Sequence, residues 1–113
     1  MTAYTMKAEQ LVRRAVIDYL RKRGHIVYPH DTRARMMKNG MFAKFNPYYA
    51  TAGEADLQVF PKSAPLSTVW IELKKPGKHK LDPDQILQRS ITVGMGHEFI
   101  VVDGIDDCIK YGL

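Results

Sequence analysis

Asp56, Glu72 and Lys74 are the residues of this chain whose types and spacing could do chemistry. They lie in GEADLQVFPKSAPLSTVWIELKKPGK, where two strand-like runs flank the turn-rich PKSAPLS. Pairing those runs as an antiparallel hairpin with Phe60 opposite Thr68 puts Asp56 opposite Glu72. Side chains alternate along a strand, so Glu72 and Lys74 share one face while Leu57, Val59, Ile71 and Leu73 point to the other. Two carboxylates on neighbouring strands offer hard oxygen ligands to Mg²⁺ or Mn²⁺, and the backbone carbonyl of Leu73 could add another. A metal so held activates water and neutralises charge on a phosphate in flight. A lysine beside it orients or deprotonates that water, or stabilises the charge that develops. The plainer reading is a solvated, ion-paired hairpin, since surface charge pairs are common and weak. Interleaved apolar residues and the upstream Gly53-x-x-Asp56 weigh against it, but spacing alone leaves both readings open.

The elements that must position these residues are legible along most of the chain. Residues 5–23 predict an amphipathic helix, with Leu11, Ala15, Val16, Tyr19 and Leu20 recurring at spacings of three and four, and Gly24 stopping it. A short strand over 25–28 ends at Pro29. Residues 30–53 predict a loop followed by one or two irregular strands, and the hairpin strands run over 55–60 and 68–75. In DPDQILQRSITVG, Asp82 stands as N-cap, Pro83 at the first helical position and Gln85 at the third, a capping-box arrangement closed by Gly94. A strand over 98–103 and a short helix over 105–111 complete an α/β domain with a mixed sheet. The 113 residues predict one domain, 1–113, with no repeat, linker or low-complexity tract.

Composition narrows the partners. A hydrophobic share of 45% with 26% charged residues excludes a disordered chain. No apolar run approaches the roughly 20 residues of a membrane helix, and the N-terminus lacks a secretory layout. One cysteine excludes an internal disulfide framework and points to the cytoplasm. Seventeen Lys and Arg against twelve Asp and Glu give a net charge of +5, which favours a polyanion such as DNA. Lys75, Lys78 and Lys80 in the loop after the second hairpin strand are phosphate candidates, with a solvated charge run as the alternative. Arg33, Arg35, Lys38 and Lys44 alternate with Phe42, Phe45, Tyr48 and Tyr49, which suits either DNA contact or core and dimer packing. His25, His30, His79 and His97 show no paired ligand spacing, which with a single cysteine argues against a zinc site. His79 either touches a phosphate or is solvated, and Trp70 either walls the site or packs elsewhere.

GEADL, then WIELKKPGK, then LDPDQ resembles the PD-(D/E)XK nuclease superfamily, and more narrowly its virus-type replication–repair nuclease (VRR-NUC) family. The resemblance runs from the first helix to the FIVV strand, and it implies the restriction-endonuclease-like core with a central mixed sheet flanked by helices. It implies Asp56 and Glu72 as metal ligands and Lys74 as the catalytic lysine, with Gln85 reaching back to the site and Glu9 as the acidic residue of the first helix, a further metal ligand. Gln85 keeps its rival explanation as the capping partner of Asp82. The family more often has proline where Ala55 stands, and the role of Glu54 is left open. Small stand-alone members are viral and dimeric, so the resemblance implies a phage or prophage homodimer that cuts branched DNA, with a four-way (Holliday) junction as preferred substrate. The alternatives are a monomeric flap nuclease, a non-catalytic DNA-binding module of the same fold, and a small interaction protein.

Overall fold

A computed structural model describes residues 8–30, 35–36, 42–43, 53–63 and 68–113, with only the backbone of 35–36 and 42–43. Helix α1 (Ala8–Lys22) leads to β1 (Ile26–Pro29). The two-residue strands β2 (Arg35–Met36) and β3 (Phe42–Ala43) then pair with each other. β4 (Leu57–Phe60), β5 (Val69–Leu73), α2 (Pro83–Gly94), β6 (Glu98–Val102) and α3 (Ile105–Lys110) follow. The main sheet has the order β1-β4-β5-β6, antiparallel except for the parallel pair β5–β6 that α2 connects. The predicted order of elements and the mixed sheet are both present. The predicted strand over 68–75 is shorter, and Pro29 is the last residue of β1 rather than the stop after it, on an edge strand that tolerates proline.

The hairpin register is the one expected from the sequence: Leu57 faces Ile71, Gln58 faces Trp70 and Val59 faces Val69. Burial follows the alternation. Leu57, Val59, Val69, Ile71, Leu73, Ile100 and Val102 face α1 and α3 and pack with Val12, Val16, Leu20 and Cys108. Ala55, Leu81 and Phe99, with Trp70 and Val101, form a smaller cluster on the other face. The core stripe of α1 departs from expectation: Val12, Val16 and Leu20 are buried, whereas Leu11 is 56% exposed and Ala15 faces solvent. Both stripes repeat at four residues, and contact with the sheet selects the branched one. Burial first, and then the charge of Asp107, push the Cys108 thiol up to about 11, so it remains an inert core residue.

Helix α2 faces the other way from the usual pattern. Its half-buried residues are Gln85, Gln88 and Thr92, while Ile86, Leu87, Ile91 and Val93 are exposed, Leu87 by 57%. Gln88 and Thr92 line a small cavity with Trp70 and Phe99, so the polar side of the helix faces the sheet.

One titration bears on the fold. His25 Nδ1 accepts a hydrogen bond from the Lys62 amide at 3.0 Å, which requires that nitrogen to be deprotonated. Burial, then the nearby charges of Arg23 and Lys62, lower its pKa below 6.5. The unfolded chain therefore binds this proton more readily than the fold does. The stability contribution is complete above pH 6.5 and is lost as pH falls through the folded value. Denaturant melts at about pH 5 and about pH 7.5 should show the wild type weaker at the acid end. His25→Gln should narrow that gap, and an unchanged gap would exclude His25 as its source.

Candidate active site

Asp56 sits in the bend just before β4 and is held from both sides. Its carbonyl accepts from the His30 amide at 2.7 Å, and its Oδ2 accepts from the Leu73 amide at 2.8 Å. Continuing the β4–β5 register by one residue sets it against Glu72, as the sequence predicts. Glu72 is the one charged residue buried among the described residues, at 4% exposure. Lys74 follows β5, its amide donating to the Val102 carbonyl at 2.9 Å. Its Nζ lies 3.9 Å from Glu72 Oε2 and donates to Gln85 Oε1 at 3.0 Å.

Gln85 joins two readings that the sequence set against each other. Its amide donates to Asp82 Oδ1 at 2.9 Å, and its Oε1 accepts from the Asp82 amide at 3.0 Å, which completes the capping box. The same oxygen accepts from Lys74. The side chain that caps α2 also fixes the lysine. Gly53 brings the loop of Asp56 against that cap, because a Cβ there would overlap the Asp84 carbonyl and the Gln85 amide. Its φ is +79°, a left-handed conformation that favours glycine.

These residues open on one cavity of about 630 Å³, lined by Glu9, Glu54, Asp56, Glu72, Lys74 and Gln85, with Lys75, Lys78, His79 and Lys80 along it. Glu9 comes from the first turn of α1, one turn before Val12. The structure thus gathers Asp56, Glu72, Lys74, Gln85, Glu9, Lys75, Lys78 and Lys80, and the Leu73 amide braces the first of them. Arg33, Lys38 and Lys44 lie outside the described residues, and Arg35 belongs to β2. Asp56, Glu72 and Glu9, among the carboxylates on this cavity, form a set of hard oxygen donors that suits Mg²⁺ or Mn²⁺. Glu72 is buried at the edge of this cavity, with the Lys74 ammonium 3.9 Å from its Oε2.

Sequence reasoning left Glu54 without a role. It lines the cavity and reaches His30 Nδ1 at 3.4 Å. Trp70 stacks on His30 with ring centroids 5.7 Å apart and lines the neighbouring cavity instead. A second cluster was not legible at all. His79 Nε2 lies 3.3 Å from Asp107 Oδ2 and 3.6 Å from Asp103 Oδ2. Burial alone would raise the Asp107 carboxyl, but hydrogen bonds from Asp103 and His79 outweigh it and its pKa lies below the ordinary value.

No family model and no curated protein matches the sequence. Among solved structures, a chain described as "VRR_NUC domain" superposes with a TM-score of 0.65 at 19% identity, over 93% of this chain and 94% of that one. Identity at that level speaks for the architecture alone: the mixed sheet between helices is a restriction-endonuclease-like α/β fold, the same fold as that VRR-NUC domain.

Proposed function

We propose that residues 1–113 form a single VRR-NUC-type nuclease, a DNA endonuclease that hydrolyses phosphodiester bonds with Mg²⁺ or Mn²⁺. The observation that carries this reading is the convergence of Asp56, Glu72, Glu9, Lys74 and Gln85 on one cavity edged by lysines. Asp56, Glu72 and the Leu73 carbonyl, with Glu9, would hold the ion. When bound, the ion supplies Lewis acidity toward a phosphate oxygen and an acidified water. Lys74, held between Gln85 and Glu72, orients the attacking water and opposes charge on the phosphate. Lys75, Lys78 and Lys80 bind flanking phosphates, and Arg33, Arg35, Lys38 and Lys44 extend that contact.

The outward apolar side of α2 supports a homodimer, since such a patch marks an association surface. Two protomers about a two-fold axis would present two sites to a symmetric substrate, so a four-way junction is the proposed target, in the cytoplasm of a host carrying a phage or prophage. Light scattering should give a dimer for wild type and a monomer for Leu87→Glu. A wild-type monomer that stays monomeric on a junction would remove the resolvase reading. The activity itself is tested on labelled linear duplex, 5′ flap, splayed arm and four-way junction with Mg²⁺, Mn²⁺ or EDTA. Paired symmetric cuts near the junction are expected. Preferential flap cutting would favour the monomeric flap nuclease, and binding without cleavage of any substrate would leave a non-catalytic DNA-binding module.

A further inference from the structure

The cluster of His79, Asp103 and Asp107 has no part in the proposed catalysis. His79 belongs to the basic loop over 75–80, whereas Asp103 and Asp107 stand at the corner between β6 and α3 and do not line the main cavity. One ligand atom from each residue lies within 4.8 Å of the other two. The separations from His79 Nε2 are 3.3 Å to Asp107 Oδ2 and 3.6 Å to Asp103 Oδ2. A tetrahedral zinc with bonds near 2.1 Å sets its ligands about 3.4 Å apart, so both values bracket that edge. An imidazole with two carboxylates is also the donor set of a borderline ion, unlike the all-oxygen set of Asp56, Glu72 and Glu9.

The carboxylates are held in place before any ion arrives. The Gly77 amide donates to Asp103 Oδ2 at 2.8 Å, and the Asp103 amide donates to Asp107 Oδ2 at 2.9 Å. Each oxygen retains a lone pair for a metal, and such outer hydrogen bonds orient ligands.

We propose that His79, Asp103 and Asp107 bind one Zn²⁺, which ties the loop carrying Lys75, Lys78 and Lys80 to the β6–α3 corner. His79 Nε2 would give its lone pair to the ion, any proton on that nitrogen passing to solvent, and each aspartate would give one oxygen. Three protein ligands leave a fourth position for water or a phosphate oxygen.

The test uses the full chain carrying Asp56→Asn, stripped with EDTA and dialysed, so that the readout is metal binding rather than cleavage. Competition with a chromogenic chelator should show one equivalent of Zn²⁺, and Co²⁺ in its place should give a tetrahedral absorption spectrum. Adding His79→Ala or Asp107→Asn should weaken zinc binding at least about tenfold. His79 is exposed, and Asp107→Asn keeps an acceptor for the Asp103 amide, so circular dichroism should be unchanged in both. Absence of stoichiometric zinc, or an affinity untouched by His79→Ala, would overturn the proposal. Either result leaves the nuclease reading standing, just as a failure to cut DNA leaves the zinc site standing.

Discussion

Asp56→Asn should reduce metal-dependent DNA cleavage by about a thousandfold, roughly 4 kcal/mol of transition-state stabilisation, while the protein stays folded and still binds DNA. The substitution is nearly isosteric and keeps an oxygen to accept from the Leu73 amide, so the brace between the Asp56 bend and β5 survives. What disappears is one negative charge from the proposed ligand set. The measurement is single-turnover cleavage of a labelled junction in Mg²⁺ and Mn²⁺, with binding measured in parallel in EDTA. Cleavage at the wild-type rate would show that Asp56 is no ligand and would withdraw the site with it. Equal loss of binding and cleavage would point instead to a damaged fold.

The largest stability effect at a single site should come from Gly53→Ala. The Cβ would overlap the backbone of Asp84 and Gln85, groups that cannot swing aside as a long side chain can. The left-handed φ adds strain of its own. Gly96 isolates the two contributions, because its φ is +89° and a Cβ there meets nothing within 4 Å. Gly96→Ala should cost about 1 kcal/mol, and Gly53→Ala about 3 kcal/mol. For a domain of this size the latter lowers Tm by about 10 °C or more. Equal shifts in the two variants would mean that the loop of Asp56 does not rest on α2.

The hairpin and the cap of α2 were legible for a shared reason: both are local patterns with a fixed spacing. Alternation forces Asp56 opposite Glu72 once the turn length is set, and the register of Leu57 with Ile71 follows. Asp82, Pro83 and Gln85 announce a helix start within four residues. Orientation was less legible. Periodicity reveals that α1 and α2 are two-sided, but contact with the sheet decides that Val12 rather than Leu11 is buried and that Gln88 faces inward. The histidine cluster was invisible because His79 and Asp107 are 28 residues apart and meet only when the loop folds against α3. For Gln85 the sequence offered two roles as rivals, and the side chain performs the capping role while also holding Lys74.

On the proposed mechanism, that shared oxygen would couple local fraying to turnover. Helix ends open and close far more readily than the core unfolds, and each opening of the first turn of α2 releases Lys74 along with the cap. The fraction of molecules able to react would then be the fraction with that turn closed. Activity should fade on warming before the sheet melts, in step with faster amide hydrogen exchange at Gln85.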